Sequence, residues 1–260
     1  MTSAPSPALV SVNADAVLEV DFGEQRRWTV LLRIILAIPQ IVVFGLVGIA
    51  AFVVVVIGWF AALVTGRLPR WAAEFLSGYV SWQARLYGYL QLLTDVYPPF
   101  SFTTANYPVR VVLGPAGELK RLAVLFRFIL LIPAMIVSTL VSYGWYLFSF
   151  ITWLIVLFTG RMPVALFLAT SAVLRYSLRF QSYASMLTSA YPKDLFGDAP
   201  AVSRPDISTP ATQPLILTEA ARVLVIVFIV LGVLGYALQF ANDRNAQHPP
   251  RYDTTNGQSY

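Results

Sequence analysis

Two stretches of this chain carry no charged side chain for more than thirty residues: the interval between Arg33 and Arg67, and the interval between Arg127 and Arg161. A third apolar stretch runs from Val223 to Phe240. A bilayer crossing takes roughly 20 apolar residues, so all three approach or exceed the length that hydrocarbon demands. Charged residues make up 12% of the chain, about half the share of a soluble domain, and the deficit is concentrated in these stretches. The sequence therefore predicts an all-α integral membrane protein.

The two long stretches are copies of one another. Shifted by 94 residues, the chain aligns with itself without a gap: 26–98 matches 120–192 at 25 of 73 positions. Shared apolar composition raises chance identity, but it does not place unusual residues in one register. Here Arg33 meets Arg127, Ile38-Pro39 meets Ile132-Pro133, and Trp59 meets Trp153. Thr65-Gly66-Arg67 with Pro69 falls on Thr159-Gly160-Arg161 with Pro163, and Arg85 falls on Arg179. Fixed-period self-similarity of this kind marks a duplicated structural unit.

Each copy opens with a polar lead of β character, Ala16–Phe22 or Tyr107–Leu113. Then come a basic helix start, the long apolar run, and Thr-Gly-Arg-x-Pro as a stop. Glycine suits the left-handed position after a helix, arginine suits the helix carboxyl end, and proline cannot continue the helix. A second, less apolar helix follows, predicted at 71–94 and 165–188. It carries a polar stripe, Glu74, Ser77, Ser81, Arg85 and Gly88 in the first copy, and Ser171, Arg175, Arg179 and Ser182 in the second. The predicted organisation is a polar lead (1–25), membrane repeat 1 (26–100), a polar linker with a short β lead (101–119), membrane repeat 2 (120–193), a second linker (194–218), a carboxy-terminal transmembrane helix (219–241) and a polar tail (242–260).

Charge asymmetry across a bilayer bears on the number of crossings. With both helices of each copy crossing, ten Lys and Arg fall on one side, five on the other, and Arg85, Arg175 and Arg179 lie within spans. With only the apolar runs crossing, the sides balance at nine each. A re-entrant bend near Gly45–Gly48 gives sixteen against two, but two crossings and a turn need about 40 residues and 34–64 supplies 31. The favoured expectation is five crossings and two parallel copies, with the amino terminus cytoplasmic in a bacterial plasma membrane. Met1-Thr-Ser-Ala-Pro-Ser-Pro lacks the basic and apolar regions of a cleavable signal, so the first apolar run is expected to direct insertion.

The repeated motif resembles the bacterial family of unknown function DUF4389. The residues that carry the resemblance are Leu36–Pro39, Ala61–Pro69, Arg85 and Leu92–Phe100, with a more diverged copy that has Ser189 for Asp95 and Lys193 for Pro99. The family implies no activity, substrate or cofactor.

The functional expectations come from the residues alone. The chain has no cysteine, and its single histidine, His248, lies in the polar tail. No thiolate metal site, cysteine nucleophile or membrane-embedded histidine base is available, and no phosphate loop or dinucleotide fingerprint occurs. No enzyme activity and no cofactor are expected. The net charge of +5 is read as topology and lipid attraction rather than nucleic-acid binding. The expected partners are membrane lipids and other membrane proteins. The first functional expectation is a scaffold or accessory subunit of a cell-envelope membrane complex. The alternative is a binder or transporter of an anionic lipid or small anion through Arg85, Arg175 and Arg179. An arginine within a span costs roughly 2.5 kcal/mol or more and must find a partner. Thr65-Gly66-Arg67 and Thr159-Gly160-Arg161 could cradle a phosphate but read first as helix caps.

Overall fold

The computed structural model describes residues 17–20, 24–104, 107–113, 118–197 and 215–247. The remainder of the amino-terminal lead, most of the second linker and residues 248–260 of the tail, His248 among them, lie outside the described residues. The elements in chain order are β1 (Val17–Val20), α1 (Arg27–Thr65), α2 (Arg70–Leu90), β2 (Val109–Val112), α3 (Arg121–Leu125), α4 (Arg127–Thr159), α5 (Val164–Ala184) and α6 (Glu219–Gln247). Three helices, α1, α4 and α6, are long and apolar enough to cross a membrane. The expectation of an all-α chain holds, with one addition. The β character of the two leads is real, and the leads pair with each other as an antiparallel ribbon, Val17 opposite Val112 and Val20 opposite Val109.

Both long helices stop where the motif says. Gly66 and Gly160 take φ of 74° and 71°, and each N–H closes on the carbonyl four residues back, Ala62 or Val156. The Thr65 hydroxyl donates to Ala61 and accepts from the Arg67 N–H, and Thr159 repeats this with Ile155 and Arg161. The second helices end four residues earlier than the sequence suggests. Leu92 and Met186 adopt φ of 62° and 61°, and Leu93 and Leu187 donate back to Gly88 and Ser182. This is a glycine-type helix ending made with bulky residues, so no glycine announces it. α1 runs unbroken through Pro39 and through Gly45–Gly48, so no re-entrant bend forms there.

Within each copy the two helices form an antiparallel hairpin. The side of α1 that is covered is a single stripe, Val30, Arg33, Ala37, Gln40, Phe44, Ala51, Gly58 and Ala62. Phe44 stacks on Tyr79 with ring centroids 4.6 Å apart and meets Trp82 edge-on. The other faces of α1 present exposed apolar side chains such as Leu46, Ile49, Phe52 and Phe60. A helix apolar all round is suited to lipid.

The relation between the copies corrects the expected arrangement. Gly66 at the end of α1 accepts from the Leu119 N–H before α3 (2.9 Å), and Gly160 at the end of α4 accepts from the Gln25 N–H before α1 (3.0 Å). Arg67 pairs with Glu118, and Arg161 with Glu24. Trp59 Nε1 donates to the Val124 carbonyl (3.0 Å), and Trp153 Nε1 to the Val30 carbonyl (2.9 Å). Every contact has its partner 94 residues away, with the copies exchanged. The repeats are therefore related by a pseudo-twofold axis, with the end of each long helix against the start of the other. Two parallel copies with Thr-Gly-Arg on the face opposite the leads are ruled out, because turn and lead are hydrogen-bonded to each other. Trp59 and Trp153, aligned with each other in the repeat, clasp the copies. Replacing both by Phe should lower stability by about 1 kcal/mol per lost hydrogen bond, read as a thermal shift in detergent.

Candidate functional site

The arginines singled out from the sequence are buried, and each is held by the chain that returns over its own helix. Arg85 is 4% exposed and donates to the Ser101 carbonyl. Arg175 donates to the Asp194 carbonyl at 2.8 Å. Arg179 donates to the Lys193 carbonyl at 3.1 Å, and its guanidinium lies 3.8 Å from the Asp194 carboxylate. Arg85 of α2 and Arg175 and Arg179 of α5 thus reach the loops 98–104 and 190–197, where backbone carbonyls need donors. Val109 packs directly on Gly88. Tyr107 belongs to the same layer: its hydroxyl donates to Val96 O (2.7 Å), and burial pushes that hydroxyl well above its ordinary pKa, so it remains a donor.

Two further arginines, treated in the sequence only as the start of the apolar runs, are among the most buried. Arg33, 2% exposed, donates to the carbonyls of Tyr89 (2.5 Å) and Thr94 (3.1 Å) and to Gln25 Oε1 (3.0 Å). Its charge meets Asp95 at 3.3 Å and the Tyr89 ring at 4.5 Å. Arg127, its counterpart, is 3% exposed, donates to Thr188 O (2.5 Å) and sits 4.0 Å from the Tyr183 ring. The carboxylate is missing from that environment: Asp95 corresponds to Ser189, and Gln25 to Leu119. Ser189→Asp should supply the absent counter-ion and raise the melting temperature, an effect on the order of 1 kcal/mol for a carboxylate near the surface. A lower melting temperature would show that the Arg127 side is built for neutrality.

Gln40 is a further buried polar group of α1. It is the only amide within 34–64, fully buried, accepting from Trp82 Nε1 (3.0 Å) and donating to Pro98 O (2.5 Å). A lone amide in so apolar a run was the signal available, because hydrocarbon leaves no water to satisfy it.

The repeat motif of the first copy forms the rim of a cleft against the start of the second. It is lined by Thr65, Gly66, Arg67, Glu118, Leu119 and Arg121, an open recess of about 430 Å³. The second copy repeats the flanking contacts, Gly160 with Gln25 and Arg161 with Glu24. Pro69 and Pro163 sit just before α2 and α5 at their amino ends. The chemistry here is two cations and one carboxylate, with the Arg67 guanidinium already on Glu118. Among the described residues no group of three His, Cys, Asp or Glu could hold a metal.

The family model for a domain of unknown function, DUF4389, matches residues 27–101 and 121–195. The chain belongs to this family. It carries the domain twice, and the matched segments are the two α-hairpins with the loops that return over them. No curated protein and no solved structure shows significant similarity to the chain. The motif residues of the DUF4389 resemblance now have physical roles: Thr-Gly-Arg clasps the partner copy, Arg85 anchors the return loop, and Asp95 neutralises Arg33.

Proposed function

We propose that this protein is a non-enzymatic scaffold or accessory subunit of a cell-envelope membrane complex, held in the plasma membrane by its apolar helices. The observation that supports this reading is the use made of the buried arginines. Arg33, Arg85, Arg127, Arg175 and Arg179 each donate to backbone carbonyls of the chain itself. Groups spent on internal architecture favour a rigid platform over a turnover site. The test is native mass spectrometry after extraction in mild detergent, alongside a lipid-nanodisc preparation. A discrete hetero-complex of fixed stoichiometry is expected. A bare monomer in both media would overturn the proposal.

The alternative reading, an anion or anionic-lipid site on Arg85 and Arg179, requires the ligand to displace carbonyls already in place. The double substitution Arg85→Ala with Arg179→Ala is therefore expected to destabilise the fold by several kcal/mol, as for other broken buried charges, and to leave the ratio of co-purified anionic lipid unchanged. Selective loss of that lipid from a variant that still melts cooperatively would restore the alternative.

A further inference from the structure

We infer that both repeats lie along the membrane within a single leaflet, with neither α1–α2 nor α4–α5 crossing it, so that every turn, return loop and linker up to Arg222 faces one side.

Two ways exist for α1 to cross, and each fails on the contacts. Suppose α1 and α2 both crossed. The chain would then return to the face where α1 began. The next repeat, however, starts against the far end of α1: Leu119 N–H is bonded to Gly66 O at 2.9 Å, and Trp59 reaches Val124. The connection 95–119, which carries Asp95, Arg110 and Glu118 and no apolar run, would have to pass through hydrocarbon. Polar irregular chain does not do so when lipid surrounds it. Suppose instead that α1 crossed and α2 stayed on the far surface. The end of α2 would then lie a membrane's thickness from the start of α1. Yet Arg33 in the second turn of α1 donates to Tyr89 and Thr94 at the end of α2. Further along, Gly58 of α1 packs against Leu68 before α2. The two helices run side by side over their whole shared length.

Only an orientation along the membrane satisfies both sets of contacts. It also accounts for length. α1 has 39 residues, or about 58 Å of helix, nearly twice the roughly 30 Å of hydrocarbon. In this orientation the exposed apolar faces of α1 and α4 meet acyl chains. α2 and α5 form the middle layer, and the β ribbon and return loops meet water. Fifteen of the sixteen Lys and Arg among the described residues then share one face, which the positive-inside bias makes the cytoplasmic one.

The absence of cysteine makes the test direct. Single cysteines replace Arg70, Thr104, Lys120, Val164 and Lys193, all exposed positions, and intact cells are treated with an impermeant thiol reagent. All five are expected to stay unlabelled in intact cells and to label fully once the membrane is permeabilised. Labelling of any one of them in intact cells would overturn the inference. A second readout does not depend on sidedness. A fluorophore attached at Ile35, Ile49 or Phe60, all exposed along α1, is quenched by nitroxide lipids of known depth. Similar depths at all three positions are expected. A progression from one interface to the other, over the roughly 37 Å of helix between residues 35 and 60, would show that α1 crosses and would sink the inference.

Discussion

Replacing Gly144 by valine should detach α6 from the repeats. α4 and α6 meet backbone to backbone. A Cβ on Gly144 would lie 1.6 Å from the Phe228 carbonyl oxygen, and one on Gly232 would lie 2.1 Å from the Leu140 carbonyl oxygen. Neither obstacle is a side chain that could rotate away, so the helices would have to separate. Small residues at such crossings let membrane helices approach closely and gain dispersion and polar contacts that lipid cannot replace. The expected loss is about 3 kcal/mol or more, at the upper end for overpacking. Two other glycines serve as internal controls. At Gly235 the nearest atoms belong to the Tyr143 ring and the Leu147 side chain, and at Gly45 nothing lies within 4 Å. Gly235→Ala should cost less than Gly144→Val, because side chains and not backbone must give way there, and Gly45→Ala should be neutral or stabilising by up to about 1 kcal/mol, the helix preference of alanine over glycine. Thermal melting in detergent, with protease cleavage of the 198–214 linker and purification of the repeats, separates the cases. Co-purification of α6 with the repeats from Gly144→Val after cleavage would refute the expectation.

Arg33→Met should be the most damaging single change in the first repeat. It deprives the Tyr89 and Thr94 carbonyls and Gln25 of a donor and leaves Asp95 without its buried partner. Breaking a buried charge network by removing one member costs about 3–5 kcal/mol. The equivalent Arg127→Met should cost less, because Arg127 has fewer such partners and no carboxylate opposite it. The comparison of the two melting temperatures is the measurement. Equal losses would mean that the ring contacts with Tyr89 and Tyr183, common to both copies, carry the energy.

The duplication, the helix stops and the strand-forming leads were legible because each is written in local chemistry. Thr65-Gly66-Arg67 caps α1 whatever surrounds it, and Val17–Val20 and Val109–Val112 are rich in the β-branched valine that suits a strand. The relation between the copies was not legible. A charge count weighs faces of a membrane, but it does not record that Glu118 belongs to Arg67 and Glu24 to Arg161. Those pairs depend on a packing direction that neither partner encodes alone. Arg33 escaped notice for a related reason: in sequence it borders an apolar run, and only the return of Thr94 and Asp95 over it reveals a buried cation. The Gly144–Gly232 crossing was hidden in the same way. Glycines in an apolar helix are common, and the sequence does not say which of them meets a neighbour.

The reciprocal contacts at Gly66 and Gly160 have the form taken by two identical chains around a closed twofold axis. A protein with a single repeat could make the same set twice by associating with itself, and that association would depend on its concentration. Joining the copies through residues 95–119 turns association into an intramolecular step whose strength is set by linker length instead. Joining also frees the halves from identity. A self-pairing chain must accept each substitution on both sides of the axis at once, whereas this one keeps Asp95 in one copy and Ser189 in the other, and can commit one half to binding α6 while the other stays open to lipid.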